Sequence, residues 1–135
     1  MTDASSVKKI KKILVADDDT LIIDIYQEIF GGNGYILKSA TDGTEALDLI
    51  RNELYDVVIT DLNMDRLNGF DFYERAKQEM PVYRERFIFV TGDKTHVERL
   101  DAMNCKYILK PFSVVALLKA VEQVAAASHF YNSHK

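Results

Sequence analysis

Five short apolar runs punctuate the chain: Ile13-Leu14-Val15-Ala16, Tyr35-Ile36-Leu37, Val57-Val58-Ile59, Phe87-Ile88-Phe89-Val90 and Tyr107-Ile108-Leu109. Each is apolar on consecutive positions and rich in β-branched or aromatic residues. Strands covered on both faces read this way, because neither face has water to accommodate polar side chains. Between the runs, apolar residues recur at helical spacing. Leu21, Ile22, Ile25 and Ile29 share one helical face, and Gly31-Gly32-Asn33-Gly34 closes that helix. Asp42-Gly-Thr-Glu45 has the spacing of a capping box ahead of Ala46, Leu47 and Ile50. Asn68 can cap a third helix, through Phe72, Tyr73 and Ala76, that stops before Pro81. Thr95-His-Val-Glu98 reads as a second capping box, leading to Val97, Leu100 and Met103. A last helix follows Pro111 and turns Val114, Leu117, Leu118, Val121 and Val124 inward.

Five strands alternating with five helices predict an α/β fold, a parallel sheet with helices on both faces. In such a sheet the functional crevice lies outside the carboxyl ends of the strands, at a topological switch point. The expected organisation is a polar, basic leader over 1–10, one domain over 11–126, and a tail over 127–135 too short for an output domain.

Composition narrows the function. The 135 residues are 47% hydrophobic and 28% charged, with 6 Gly and 2 Pro, which is a globular balance. A single cysteine, Cys105, excludes an internal disulfide and a Cys-rich zinc site. No apolar run approaches the roughly 20 residues of a membrane span, and the start of the chain has no apolar signal core. The expectation is a cytoplasmic protein without membrane contact. Seventeen Lys and Arg against 21 Asp and Glu leave a net charge of −4. The one basic cluster, Lys8, Lys9, Lys11 and Lys12, reads as a solvated leader, so direct nucleic-acid binding is not expected.

The strand ends change the picture. The first run ends at Asp17-Asp18-Asp19, the third at Thr60-Asp61, the fourth at Thr91-Gly92-Asp93 and the fifth at Lys110-Pro111. The second ends at Ser39-Ala40, with nothing chemical, as suits an edge strand. Singly, each is an ordinary cap or turn. Together they bring carboxylates, a hydroxyl and an amine to one edge of one sheet. Clustered carboxylates are costly unless neutralised, and a hard cation such as Mg²⁺ does this with oxygen ligands. With no hydroxyl or thiol paired to a base, a carboxylate is the plausible nucleophile.

These motifs, Ile13-Leu-Val-Ala-Asp17-Asp18-Asp19, Asp56-Val-Val-Ile-Thr-Asp61, Asn68-Gly69, Phe89-Val-Thr91-Gly and Tyr107-Ile-Leu-Lys110-Pro111-Phe112, resemble the receiver domain of two-component response regulators over about residues 11 to 126. The resemblance implies a flavodoxin-like, doubly wound, five-stranded parallel sheet of order 2-1-3-4-5. It implies Asp61 as phosphoacceptor, and Asp18, the Asp61 carboxylate and the Asn63 carbonyl as Mg²⁺ ligands. Asp17 would hold metal-bound water, while Asp19 falls to helix capping. Lys110 would contact the phosphoryl group, and Thr91 and Tyr107 would form the conformational switch. Asn63 and Asp93, two beyond Asp61 and Thr91, would flank the water that hydrolyses the phosphate. A cis Lys110–Pro111 bond is implied as well.

The implied protein is a phosphoacceptor rather than an enzyme, served by a histidine kinase or histidine phosphotransfer protein. It would act on a downstream protein target, as a single-domain regulator, a relay or the receiver of a hybrid kinase. Three features depart from the family pattern. Asp65-Arg66 stands where Pro-Gly is usual, suggesting a looser, more charged loop. The Thr91–Lys110 stretch is about three residues short, so the fourth helix should be short. Asn104-Cys105-Lys106 replaces the usual small residues. The last two put a homodimer through helix 4, strand 5 and helix 5 in question. A rival reading is a Mg²⁺-dependent phosphatase of the haloacid dehalogenase type with Asp17 as nucleophile. It lacks the expected glycine after the second acid and has no room for a cap domain.

Overall fold

The computed structural model describes residues 11–133, with side chains through residue 128. The leader over 1–10, with Lys8 and Lys9, and His134 lie outside the described residues. The elements run β1 (Lys11–Ala16), α1 (Thr20–Gly31), β2 (Tyr35–Ala40), α2 (Gly43–Asn52), β3 (Val57–Asp61), α3 (Gly69–Glu79), β4 (Phe87–Thr91), α4 (Val97–Ala102), β5 (Lys106–Leu109) and α5 (Val114–Ser133). The strands form one parallel sheet in the order β2-β1-β3-β4-β5. This is the doubly wound α/β fold that the alternating pattern predicts. The register sets Ala16 beside Thr60, Asp61 beside Val90 and Thr91 beside Leu109, which brings the chemically equipped strand ends to one edge.

Alternate side chains of each central strand enter opposite cores. Leu14, Val58 and Phe89 pack with Leu47, Phe72, Tyr73 and Leu100 on the side of α2, α3 and α4. Ile13, Val15, Ile59 and Val90 pack with Ile23, Tyr26, Phe30, Leu117 and Val121 of α1 and α5. Each such fully buried side chain contributes about 1.5–3 kcal/mol of transfer free energy.

Caps fix where the first three helices begin. The carboxylate of Asp19 accepts from the Leu21 N–H, that of Asp42 from the Glu45 N–H at 2.9 Å, and the Asn68 amide oxygen from the Asp71 N–H. Glu45 reaches back one residue beyond the cap, accepting from the Thr41 N–H at 2.8 Å.

Several helical assignments differ from the expectation. Thr95 does not cap α4. Asp93 accepts from both the Thr95 N–H and its hydroxyl, so the chain first makes a 3-10 turn over Lys94–His96. α4 then starts at Val97 without a side-chain cap and lasts six residues, as the short spacing suggests. The inward face of α1 is Ile23, Tyr26 and Phe30, whereas Leu21 and Ile25 are exposed. That helix is apolar around most of its circumference, so periodicity alone cannot orient it, and the large aromatics take the deep positions. Val114 is likewise exposed at the start of α5. At its other end α5 runs past residue 126 to Ser133. Ser128 is buried, and its hydroxyl donates to Asp56 Oδ1 at 3.0 Å. Among the described residues no helix is long and apolar enough to cross a membrane.

Candidate functional site

β1 ends in an apolar run that carries Asp17 to the sheet edge, where its N–H is tied to the Ala40 carbonyl at 3.0 Å. Asp17 is 1% exposed. β3 ends at Asp61, half-buried, and Asp18 stands exposed beside them. One carboxylate oxygen from each of Asp17, Asp18 and Asp61 lies within 4.8 Å of the others. Lys110 completes the cluster from the end of β5, its Nζ 3.5 Å from Asp17 Oδ2 and 3.4 Å from Asp61 Oδ2. The Lys110–Pro111 bond is cis.

The two central acids are held alike. Asp17 Oδ1 accepts from the Asp19 N–H at 2.9 Å, and Asp61 Oδ1 from the Asn63 N–H at 3.1 Å. Each therefore spends one oxygen on its own loop and turns the other to Lys110. Asp19, bound to Leu21 N, serves as the helix cap and lies outside the acidic trio.

The electrostatics follow from burial and sign. Burial pushes the Asp17 carboxyl above the ordinary range, with Asp61 adding to the rise. The Asp19 N–H and Lys110 oppose it only in part. For Lys110, burial alone would lower the ammonium pKa, but Asp61 and Asp17 outweigh it and raise it. Tyr26, buried below the acids, is pushed up by burial and then by the charges of Asp17 and Asp61. Three acids against one amine leave an excess of negative charge. The donor set, oxygen only and carboxylate-rich, fits a hard divalent cation such as Mg²⁺. Asp17, Asp18 and Asp61 would hold it, together with main-chain oxygen from the loop at Asn63.

The switch candidates are placed unequally. Thr91 is fully buried at the end of β4. Its Oγ1 accepts from the Asp93 N–H at 3.1 Å and stands 3.5 Å from His96 Nδ1. Tyr107 is half-buried and packs against the core on the α4 side, and the nearby Asp101 carboxylate raises its pKa. It thus faces α4 and not the carboxylates. Asn63 is exposed beside Asp61. Asp93 is engaged by Thr95, whose two hydrogen bonds hold its carboxyl below the usual range.

The loop after Asp61 carries a feature that the sequence reading missed. Arg66 adopts a left-handed φ of 66°, and its guanidinium binds the covered Asp42 carboxylate at the start of α2. The Glu45 N–H and Arg66 together hold Asp42 below the ordinary carboxyl range. Gly43 and Gly69 admit this loop, because a Cβ on either would strike the carbonyl of Leu67 or Asp61. The Asp65-Arg66 departure therefore gives a tethered loop rather than a looser one. A Gly-to-Arg change in a turn reads only as a lost positive φ, and the partner, 24 residues earlier, has no local signal.

The class defined by this sheet and its acidic edge is matched by comparison with known proteins. The sequence profile of the response regulator receiver domain matches residues 13–122. The chain is 34% identical over 113 residues to the response regulator MprA of Mycobacterium sp. (strain KMS), covering 79% of this chain and 47% of that protein. It is 29% identical over 133 residues to the probable transcriptional regulator ycf27 of Guillardia theta, covering 91% of this chain and 51% of that protein. The chain thus spans about half the length of these curated relatives. Among solved structures, the signal receiver domain of an HD domain-containing protein from Pseudomonas fluorescens Pf-5 superposes with a TM-score of 0.85 at 25% identity, covering 99% of this chain and 100% of that one. The receiver domain of the Francisella response regulator 1452 gives 0.77 at 30% identity, covering 87% and 98%. The protein belongs to the response regulator receiver domain family of two-component signalling proteins.

Proposed function

We propose that this protein receives a phosphoryl group on Asp61 and changes its protein contacts in response. The observation that carries the reading is the pose of Asp61 Oδ2, 3.4 Å from Lys110 Nζ at the edge of an oxygen-rich cation site. The donor would be a phosphohistidine of a histidine kinase or histidine phosphotransfer protein. An Asp61 oxygen attacks phosphorus, the phosphorus–nitrogen bond breaks, and imidazole leaves with the electron pair. Bound Mg²⁺ supplies the charge neutralisation that lets two anions meet. Lys110 turns from the free carboxylates to a phosphoryl oxygen. The Asn63 N–H keeps Asp61 oriented while its other oxygen reacts.

Thr91 serves as the sensor in this reading. Its hydroxyl accepts one bond from the Asp93 N–H and can turn its own proton from the side of His96 to an incoming phosphoryl oxygen. Movement of Thr91 vacates space behind it, and Tyr107 leaves the neighbourhood of Asp101 for a more buried position. The altered α4–β5 surface then meets a downstream protein target, with a homodimer through α4, β5 and α5 as one form of that contact. Asn63 and Asp93 set how fast water removes the phosphoryl group. The site of action is the cytoplasm. The phosphatase reading with Asp17 as nucleophile is not favoured, since the Asp17 side chain is only 2% exposed against 11% for Asp61.

The test is labelling with a phosphorylated kinase or a small acyl phosphate and Mg²⁺. Asp61→Asn, nearly isosteric, keeps the fold and loses the label; undiminished labelling of that variant refutes the assignment.

A further inference from the structure

The loop joining β3 to α3 is fixed at its ends by close backbone packing. Gly69 donates its N–H to the Leu62 carbonyl at 3.0 Å and sits directly beneath the Asp61 carbonyl. Gly43, at the start of α2, sits beneath the Leu67 carbonyl. Between these contacts the loop projects Asn63 and Asp65, both exposed. Leu62 and Met64 bury their side chains in the core and Leu67 packs against it, and the ion pair from this stretch to the rest of the domain is Arg66 to Asp42. It is an unusual surface ion pair. The guanidinium is 72% exposed, but the carboxylate it grips is 5% exposed and already caps α2. A carboxylate so placed has a fixed position, so the arginine has one place to bind. Arg66 also holds a left-handed backbone that a non-glycine residue adopts only when its surroundings impose it.

We propose that Arg66 is a positioning residue for the phosphorylation site, latching the Leu62–Asn68 loop onto the N-terminus of α2 through Asp42 and thereby presetting the main chain at Asn63 for the cation. The inference rests on the Mg²⁺ reading of the acidic cluster. It predicts that the latch acts before any phosphoryl group arrives and works by loop order, not by charge at the metal. Arg66 meets neither Asp17, Asp18 nor Asp61, and the charges acting on it are those of Asp42, Glu45 and Asp65. Losing the latch lets the Asn63 main chain sample positions away from Asp61, and the cation must then order the loop as it binds.

The test uses two substitutions that respect local geometry. Arg66→Asn tolerates the left-handed backbone and removes the guanidinium. Asp42→Asn keeps a capping oxygen and removes the charge. Amide hydrogen exchange is followed over residues 62–68 in the metal-free protein, and Mg²⁺ affinity is read by titration calorimetry. Each single variant should speed exchange in that segment and weaken Mg²⁺ binding roughly fivefold, with the double variant no worse than either. Arg66→Lys should recover part of both. Unchanged exchange and affinity in both single variants, in a wild type that binds Mg²⁺, overturn the latch alone. A wild type that takes up no Mg²⁺ overturns the cation reading and the positioning role with it.

Discussion

Lys110 Nζ is nearly equidistant from Asp61 Oδ2, at 3.4 Å, and Asp17 Oδ2, at 3.5 Å. One amine thus offsets charge on two acids whose remaining oxygens are held by loop N–H groups. On the proposed reading, Lys110 is the partner that leaves this arrangement for a phosphoryl oxygen.

Lys110→Ala separates the two roles of this lysine. Removing a cation beside the metal site should tighten Mg²⁺ binding, because the bound ion then meets less repulsion. Phosphorylation by an acyl phosphate should slow by about 100-fold, the usual loss when one preorganised donor to a developing anion is removed. Calorimetry and labelling kinetics on the same preparation check both signs.

Asp17 gives a pH-dependent stability. Its folded-state pKa is raised, chiefly by burial, so its neutral form suits the metal-free fold better than its charged form. The stability it contributes is full below the unfolded value of 3.8 and is lost as pH rises through the raised folded value. Asp17→Asn, a permanent mimic of the neutral form, should therefore raise the melting temperature of the metal-free protein at neutral pH. The gain should shrink on acidification. The same variant should lose most of the Mg²⁺-induced stabilisation, about 2.7 kcal/mol in the parent at a hundredfold excess over Kd. Thermal melts with and without Mg²⁺ at two pH values decide it.

Phosphoryl lifetime should follow the residues beside the water approach. Asn63→Met with Asp93→Tyr replaces two small polar groups with bulk, and autodephosphorylation should slow while labelling persists. Asp93→Tyr also removes the cap on the 3-10 turn before α4, at a cost of about 1 kcal/mol. A control with Asp93→Asn keeps the cap and should leave the rate closer to that of the parent. Loss of phosphate from the double variant at the parental rate would show that water enters elsewhere.

The length of α5 can be tested at Ser128. Its hydroxyl meets Asp56, whose other oxygen accepts from the Lys12 N–H at 2.9 Å, so the bond ties the later turns of α5 to the start of β1 and β3. Ser128→Ala should cost about 1.5–3 kcal/mol, the range for a hydrogen bond to a charged group. A chain ended at residue 126 should melt lower still. Urea denaturation measures both.

The sequence alone determined the class of fold and the inventory of the site. Runs such as Val57-Val58-Ile59 are apolar on successive positions, and only a two-faced sheet explains five of them alternating with helical spacing. The acids, the threonine and the lysine each follow such a run, so the parallel topology suffices to gather them at one edge. What needed the tertiary structure was everything set by contact across elements. α1 is apolar around too much of its surface for periodicity to choose Tyr26 and Phe30 over Leu21 and Ile25; the shape of the core chose. Thr95 and Asp93 both qualify as caps by residue type, and the order in which the chain reaches its N–H groups gave the turn to Asp93. Arg66 could be read only as a departure in a turn until Asp42 was placed beside it. Local pattern fixes what a segment can bury or cap, because propensity and periodicity act over a few residues. Which of several competent groups meets a given partner depends on distances between segments far apart in the chain, and those exist only once the sheet has closed.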